Sequence, residues 1–154
     1  MSTYREHSLE GASAVDLVVA LYDGILRFLY AAGEAVDRGD ALARRAAVKR
    51  ALDIIIHLQA RLRMDIGGRP AQVLSEFYAS IFAQILQASQ SASRAKFEHA
   101  IVCVRNVRDA WRQVARDPDA VAAPVAALAA SPRSPAAESA YDSAGEPAPS
   151  RWTA

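Results

Sequence analysis

The chain has 154 residues, of which 52% are hydrophobic and 23% are charged, and this size and composition fit one globular domain with an appendage. The formal net charge of +1 excludes the strongly basic footprint that is typical of nucleic-acid-binding proteins. The single cysteine, Cys103, excludes an internal disulfide, and the sequence lacks both a signal-peptide pattern and a membrane-spanning apolar run, so we expect a cytoplasmic protein without membrane insertion.

The first predicted element is an irregular arm over residues 1–12, which contains Tyr4 and Leu9. A helix is predicted to follow, with Ser13 as its N-cap because a serine oxygen can accept a hydrogen bond from the first helical turn. This helix is predicted to end near Gly39, since glycine is the residue most often found just past a helix end.

Three further helices follow in the pattern of apolar residues and breakers. Asp40 is predicted to cap the second helix, which ends at the break Asp65–Gly68. Pro70 suits the first turn of the third helix, which ends at a polar run of Ser and Gln. The fourth begins around Ser93 and ends before Pro118, because proline cannot continue a helix.

The predicted fold class is all-α. No strand pattern appears in the sequence, and short connections make neighbouring helices antiparallel, so residues 13–117 are predicted to form an up-down four-helix bundle. Residues 118–154 are rich in Ala, Pro and Ser and are predicted to form a disordered tail, because such a segment buries too little apolar surface to offset its ordering entropy. Within this tail, Ala-rich residues 120–130 have some tendency to form helix on either side of Pro124.

The predicted first helix carries two apolar stripes. The stripe that faces the core consists of Leu17, Val18, Leu21, Ile25, Phe28, Leu29, Ala32 and Val36. A second stripe beside it consists of Val15, Val19, Tyr22, Leu26 and Tyr30. Together they cover roughly 220° of the helix, whereas a surface helix commonly buries an arc of about 100° or slightly more. This helix is therefore either central in its bundle or one wall of a groove for an apolar guest.

A groove that accepts an amphipathic peptide helix is the hypothesis that we favour. Ile54 and Ile56 flank the inward side of the second helix and add to the apolar surface, and the arm is long enough to cover the groove before a guest binds. The candidate client-binding residues are therefore Tyr4, Leu9, Val15, Val19, Tyr22, Leu26, Tyr30, Ile54 and Ile56. Two other interpretations stay open: the second stripe packs within the bundle, or it pairs two copies of the chain, so either a monomer or a weak dimer is expected.

Catalytic and metal-binding patterns are weak. His99 and Cys103 are four residues apart, as two ligands of one metal can be, but a structural zinc needs four ligands, so we predict no metal site and no cofactor. Asp16 and Asp23 share the polar side of the first helix without the burial that tunes acid and base groups, so we predict no enzyme activity. The alternative function is a histidine phosphotransfer domain that uses His57, which is predicted to face solvent.

Residues 4–116 also carry a set of short motifs in a fixed order. The most specific combination is Leu-Tyr-Asp-Gly at 21–24, the Gly67-Gly68 break and a closing Trp111. The full set is Tyr4, Ala12, Ser13, Leu17, Leu21 to Gly24, Phe28, Leu29, Asp53 to Ile55, Leu58, Leu62, Met64 to Gly68, Leu74, Phe77, Tyr78 and Trp111. This set resembles the family of flagellar secretion chaperones called FliS.

The resemblance implies an antiparallel helical bundle that binds the disordered C-terminal segment of flagellin in the cytoplasm, keeps flagellin monomeric and delivers it to the flagellar type III export gate. It also implies that the arm is a movable cover, with Tyr4 matching the family's N-terminal tyrosine, and that Tyr22 and Asp23 match its Tyr-Asp pair. The chain departs from the family at Ala14, where a proline is common, at Arg69-Pro70, which replaces an acidic and aliphatic pair, and in its long tail. We therefore expect a non-enzymatic export chaperone for flagellin or for a related client.

Overall fold

The computed structural model describes residues 2–62 and 68–130, and it describes the side chains of residues 14–62 and 68–128. These residues form five α-helices and one 3₁₀ turn: α1 Ser2–Arg38, α2 Ala41–Ala60, α3 Gly68–Gln90, α4 Arg94–Arg116, the 3₁₀ turn Pro118–Ala120, and α5 Ala123–Ala130. No strand occurs in the two described ranges. The predicted all-α class with four long helices is confirmed, while the predicted break at 65–67 lies outside the described residues.

The four long helices pack as an antiparallel bundle. α1 lies against both α2 and α4, and α3 also lies against both of them. Arg94 at the start of α4 pairs with Asp37 at the end of α1, and Arg108 further along α4 pairs with Asp23, so α1 and α4 run in opposite directions. The predicted up-down topology is therefore confirmed, and α1 holds the position between two neighbours that broad apolar coverage requires.

Three predicted helix boundaries, at Gly39, Asp40 and Ser93, are confirmed by the local geometry. The Asp40 side chain accepts a hydrogen bond from the backbone nitrogen of Ala43 at 3.0 Å, as an N-cap of α2. The Ser93 hydroxyl does the same for Lys96 at the start of α4, at 3.2 Å. Gly39 ends α1 with a φ of +69°, a left-handed conformation that glycine adopts without steric cost.

The hydrophobic core lies between all four long helices. Its largest fully buried side chains include Tyr22 and Ile25 of α1, Ile81 and Ile85 of α3, and Phe97, Val104 and Val107 of α4. Leu17, predicted to face the core, is exposed instead. The reason is its position along the bundle: Gly24 lies against Ile54 of the antiparallel α2, so α2 ends at Ala60 at about the level of Leu17.

Two predicted irregular segments are helical in the structure. The backbone of residues 2–12 continues α1, so Ser13 lies inside the helix instead of capping it. No proline interrupts this stretch, and a single interior glycine at position 11 costs a helix only about 1 kcal/mol relative to alanine.

No helix among the described residues combines the length and the apolar character needed to cross a bilayer.

The first part of the predicted disordered tail is also ordered. Pro118 begins a 3₁₀ turn and α5 follows, packed against α4 and α3. Proline is tolerated in the first turn of a helix because the nitrogen there has no intrahelical partner, so Pro124 does not prevent α5 from forming. The rest of the tail, residues 131–154, lies outside the described residues.

Candidate functional site

An apolar surface cavity that borders the core lies as a groove between α2 and α3. Its volume is about 440 Å³. It is lined by Ile55, Ile56 and Gln59 of α2 and by Ser75, Tyr78, Ala79 and Phe82 of α3. We call this surface the α2–α3 groove. None of the side chains that line it is charged, so it offers apolar contact without groups for acid and base chemistry.

Three consecutive isoleucines position the α2 wall of this groove. Successive side chains on a helix point about 100° apart, so each isoleucine meets a different surface. Ile54 lies against Gly24 of α1, Ile55 is buried in the core, and Ile56 remains 55% exposed on the side of α3. Among the α2 side chains that line the groove, Ile56 is therefore the one that a bound segment can cover most fully.

Polar contacts hold the two helices at a fixed distance. Gln59 donates a hydrogen bond from Nε2 to the Ser75 hydroxyl at 2.7 Å, and Arg44 donates from Nε to the Ser89 hydroxyl at 3.3 Å. These contacts lie at opposite ends of the α2–α3 contact. The groove between them is thus preformed in the chain without a guest, which reduces the ordering cost of binding.

Tyr78 joins the groove to the interior. Its hydroxyl forms a hydrogen bond of 2.8 Å with the hydroxyl of Tyr22, and the ring centroids are 6.3 Å apart with the planes inclined by 58°. Burial raises the pKa of Tyr22 well above its ordinary value, and burial also raises the pKa of Tyr78. Both phenols are therefore neutral at physiological pH, and their hydrogen bond fixes α3 to α1 across the core.

A second surface cavity, of about 540 Å³, lies between α1 and α4. It has a charged rim and is lined by Asp23, Leu26, Arg27, Tyr30, Ala31, Glu34, Arg105 and Arg108. We call it the α1–α4 groove. Arg108 donates from Nη1 to Asp23 at 2.8 Å, and this hydrogen bond with Asp23 raises the pKa of the guanidinium. Arg105 donates to the hydroxyl of Tyr30. The charged and polar side chains of this groove are largely engaged with one another, so it is less suited to an apolar guest.

The structure divides the predicted second stripe of α1 among three environments. Tyr22 is fully buried, so the expectation that it stands on an open surface is corrected. Leu26 is only 5% exposed and forms part of the floor of the α1–α4 groove, whereas Tyr30 is 41% exposed at its rim. Val15 and Val19 are half-buried. The stripe is broken up because α2 and α4 flank α1 on both sides, which is the packing interpretation that the sequence left open.

The remaining predicted residues are also placed. Ile54 is half-buried against α1, and among the predicted residues whose side chains are described, Ile56 alone lines the α2–α3 groove. The side chains of Tyr4 and Leu9 lie outside the described side chains. Client contact by any of these residues stays a prediction.

The residues considered for metal binding or phosphotransfer do not form one cluster in the described ranges. His57 is exposed on α2. His99 contacts Cys103 through Nε2 at 3.8 Å from Sγ, and burial raises the pKa of that thiol. Within residues 2–62 and 68–130, no group of three His, Cys, Asp or Glu side chains is close enough to hold a metal ion.

Sequence reasoning missed the α3 wall of the groove. Ser75, Ala79, Phe82 and Leu86 follow one another at helical spacing, as i, i+4, i+7 and i+11, and they run beside the core stripe of α3. Phe82 is half-buried and Leu86 is exposed. The same two-stripe pattern that drew attention to the first helix was present here, but small and polar members made it less conspicuous.

Comparison with known proteins identifies similar chains. The family model described as "Flagellar protein FliS" matches residues 1–118. Proteins named "Flagellar secretion chaperone FliS" from Salmonella typhimurium and Vibrio cholerae are 31% and 29% identical over 110 and 109 residues, which is 71% of this chain in both cases and 82% and 80% of the relatives. The protein of the same name from Bacillus subtilis is 24% identical over 112 residues, covering 73% of this chain and 83% of the relative. These matches do not favour the phosphotransfer alternative.

Proposed function

The chain belongs to the FliS family of flagellar proteins, and on that premise we propose that it is a cytoplasmic, non-enzymatic export chaperone for flagellin. In this proposal it binds the disordered C-terminal segment of flagellin, prevents premature polymerisation and delivers the client to a component of the flagellar type III export gate. The α2–α3 groove is the observation that carries the proposal, because it is an apolar and preformed surface in a chain of a chaperone family.

The groove suits a guest that folds as it binds. An amphipathic helix would place apolar side chains, three and four residues apart, against Ile56 and Phe82. Coupled folding costs about 2–5 kcal/mol of ordering, so a single groove must be extended by further contacts to give useful affinity. A client that wraps around the bundle supplies such contacts, which also cover the apolar residues that drive flagellin polymerisation.

The predicted client-binding residues take different parts in this proposal. Ile56 contacts the client directly, and the half-buried Val15 and Val19 extend the surface at the N-terminal half of α1. Tyr30 stands at the rim of the α1–α4 groove. Tyr22 acts from inside the core, because its hydrogen bond holds Tyr78 in the groove wall.

The first experiment tests the partner. The purified chain is mixed with full-length flagellin and with flagellin that lacks its C-terminal segment, and binding is followed by calorimetry. Full-length flagellin should bind and the truncated protein should not, since the proposed contact lies in that segment. Sedimentation of the chain with and without flagellin separates client binding from self-association into a weak dimer. Equal binding of both flagellins would overturn the assignment of the client segment.

The second experiment tests the groove. Ile56→Asp places a charge where an apolar side chain of the client should lie, and the loss of one central contact of about 2 kcal/mol corresponds to about a thirtyfold weaker Kd. Leu42→Asp is the matched control, because Leu42 lies on the same helix, is 80% exposed and does not line the groove. Unchanged affinity of Ile56→Asp, or equal weakening in both variants, would contradict the placement of the client in the α2–α3 groove.

A further inference from the structure

Helix α5 is an apolar helix that the chain places on its own bundle. It lies against α4 and, less extensively, against α3, and none of its residues lines the α2–α3 groove. Pro124 is fully buried there, and Leu128 packs against the hydrophobic core. These two side chains are four residues apart, so they project from one face of α5.

The composition of α5 indicates how it is held. Its sequence is Ala-Pro-Val-Ala-Ala-Leu-Ala-Ala, so its own side chains pack against the bundle through apolar contacts. It has 8 residues, fewer than the roughly 12–15 that an isolated helix needs to be even marginally stable in water. Helix formation and docking of α5 are therefore coupled, and the segment is helical because the bundle supports it.

The connection to α4 keeps α5 close to the bundle. Asp117 ends α4, and its carboxylate accepts a hydrogen bond from the backbone nitrogen of Asp119 at 3.1 Å. Val121 follows in a turn and is 64% exposed. α5 can detach from the bundle without a rearrangement of α4, because the turn at residues 118–122 already separates the two helices.

We propose that α5 is a displaceable occupant of a second helix-binding face on α3 and α4, and that an alanine- and leucine-rich helix of the client takes its place. The proposal rests on the proposed chaperone function and adds to it a second client surface with a resident competitor. The composition of α5 indicates the chemistry of the client helix that would replace it. Such a helix has mostly small residues, apolar side chains four residues apart and no charge on the face that contacts the bundle. Since α3 borders both surfaces, a client seated beside Phe82 can cross α3 and reach this face.

The test uses the full-length chain and a C-terminal segment of flagellin. Leu128→Asp removes the apolar contact that seats α5, and Val121→Asp is the matched control, because it adds the same charge to the same part of the chain at an exposed position. If α5 occupies the face about nine-tenths of the time, its release tightens the apparent Kd about tenfold. We expect that tightening for Leu128→Asp and an unchanged Kd for Val121→Asp.

Hydrogen exchange on the unaltered chain gives a second readout that does not depend on a variant. The backbone amides of residues 126–130, which lie beyond the first turn of α5, should be protected in the free chain and should lose that protection when the flagellin segment binds. Unchanged or weaker binding by a folded Leu128→Asp chain, or retained protection of α5 in the complex, would overturn this inference. If the client binds in an Ile56-dependent way while α5 stays protected, only this inference fails; if no flagellin segment binds at all, the proposed function fails with it.

Discussion

The hydrogen bond between Tyr22 and Tyr78 gives the sharpest test of how the core supports the groove. Both side chains are buried, and their oxygens are 2.8 Å apart. Tyr22→Phe leaves the Tyr78 hydroxyl without this partner and away from bulk water, and Tyr78→Phe does the reverse. A buried hydroxyl left unsatisfied costs about 1–3 kcal/mol, so we expect each single variant to be destabilised by about 1.5 kcal/mol.

The double variant separates the hydrogen bond from the loss of either hydroxyl. When both oxygens are removed, neither tyrosine hydroxyl is left without its partner, and the expected destabilisation is about 1 kcal/mol, roughly 2 kcal/mol less than the two single effects added together. The free energy of unfolding is measured by urea denaturation, followed by circular dichroism, for all four chains. Tyr30→Phe serves as the control, because its hydroxyl is bonded to Arg105 on an exposed side chain and its loss should cost less than about 0.5 kcal/mol. Additive effects of the two core substitutions, within about 0.5 kcal/mol, would refute the coupling.

Two further predictions concern the same helices. Because burial raises the pKa of both tyrosines above 10.0, the folded chain keeps protons that the unfolded chain loses above about pH 10. The free energy of unfolding should therefore be unaffected below about pH 10 and should fall as the pH rises further, by up to about 1.4 kcal/mol per pH unit for each tyrosine. Urea denaturation at increasing pH should show a shallower decline for the double phenylalanine variant, and an equal decline would argue against this origin. Gly24→Val should destabilise the chain by about 2 kcal/mol through overpacking, because a Cβ at this position would lie 3.0 Å from the Cδ1 atom of Ile54. Gly24→Ala should change the stability by less than about 1 kcal/mol, because the higher helix propensity of alanine offsets the close contact. Thermal unfolding of both variants measures the difference, and equal stability of the two would show that α1 and α2 can separate.

The bundle was largely predictable because its signals are local. Asp40 and Ser93 cap helices through their own side chains, and Gly39 ends one through its own backbone, so neighbouring residues suffice to locate these boundaries. The packing of the first part of the tail on the bundle was not predicted, although a helical tendency was, because its signal is not local. Pro124 and Leu128 gain their order from α3 and α4, and no local propensity in an alanine-rich segment reports such a contact.

The candidate site was harder to predict than the fold because a surplus of apolar residues does not say which neighbour covers them. Tyr22 and Leu26 had the spacing expected of an exposed stripe, yet α2 and α4 flank α1 and leave little of either side chain exposed. The missing information is the angular position of each helix relative to its two neighbours, which depends on packing between distant segments. Ile56 could be identified because it is an apolar residue that lies outside the core-facing stripe of α2. Phe82 would have been identified by looking for apolar residues outside the core-facing stripe of α3.

The three isoleucines of α2 show how one helical turn can serve packing, core and binding together. Ile54 meets the glycine that lets α1 approach closely, Ile55 fills the core, and Ile56 is left for the groove. Because the first two contacts fix the rotation of α2 about its axis, they also fix the direction of the third side chain. The Leu-Tyr-Asp-Gly motif acts on this arrangement from α1: Tyr22 holds the opposite wall through Tyr78, and Gly24 sets the distance to α2. A motif that does not line the α2–α3 groove therefore determines its shape, which is why its substitution is expected to change stability and client binding together.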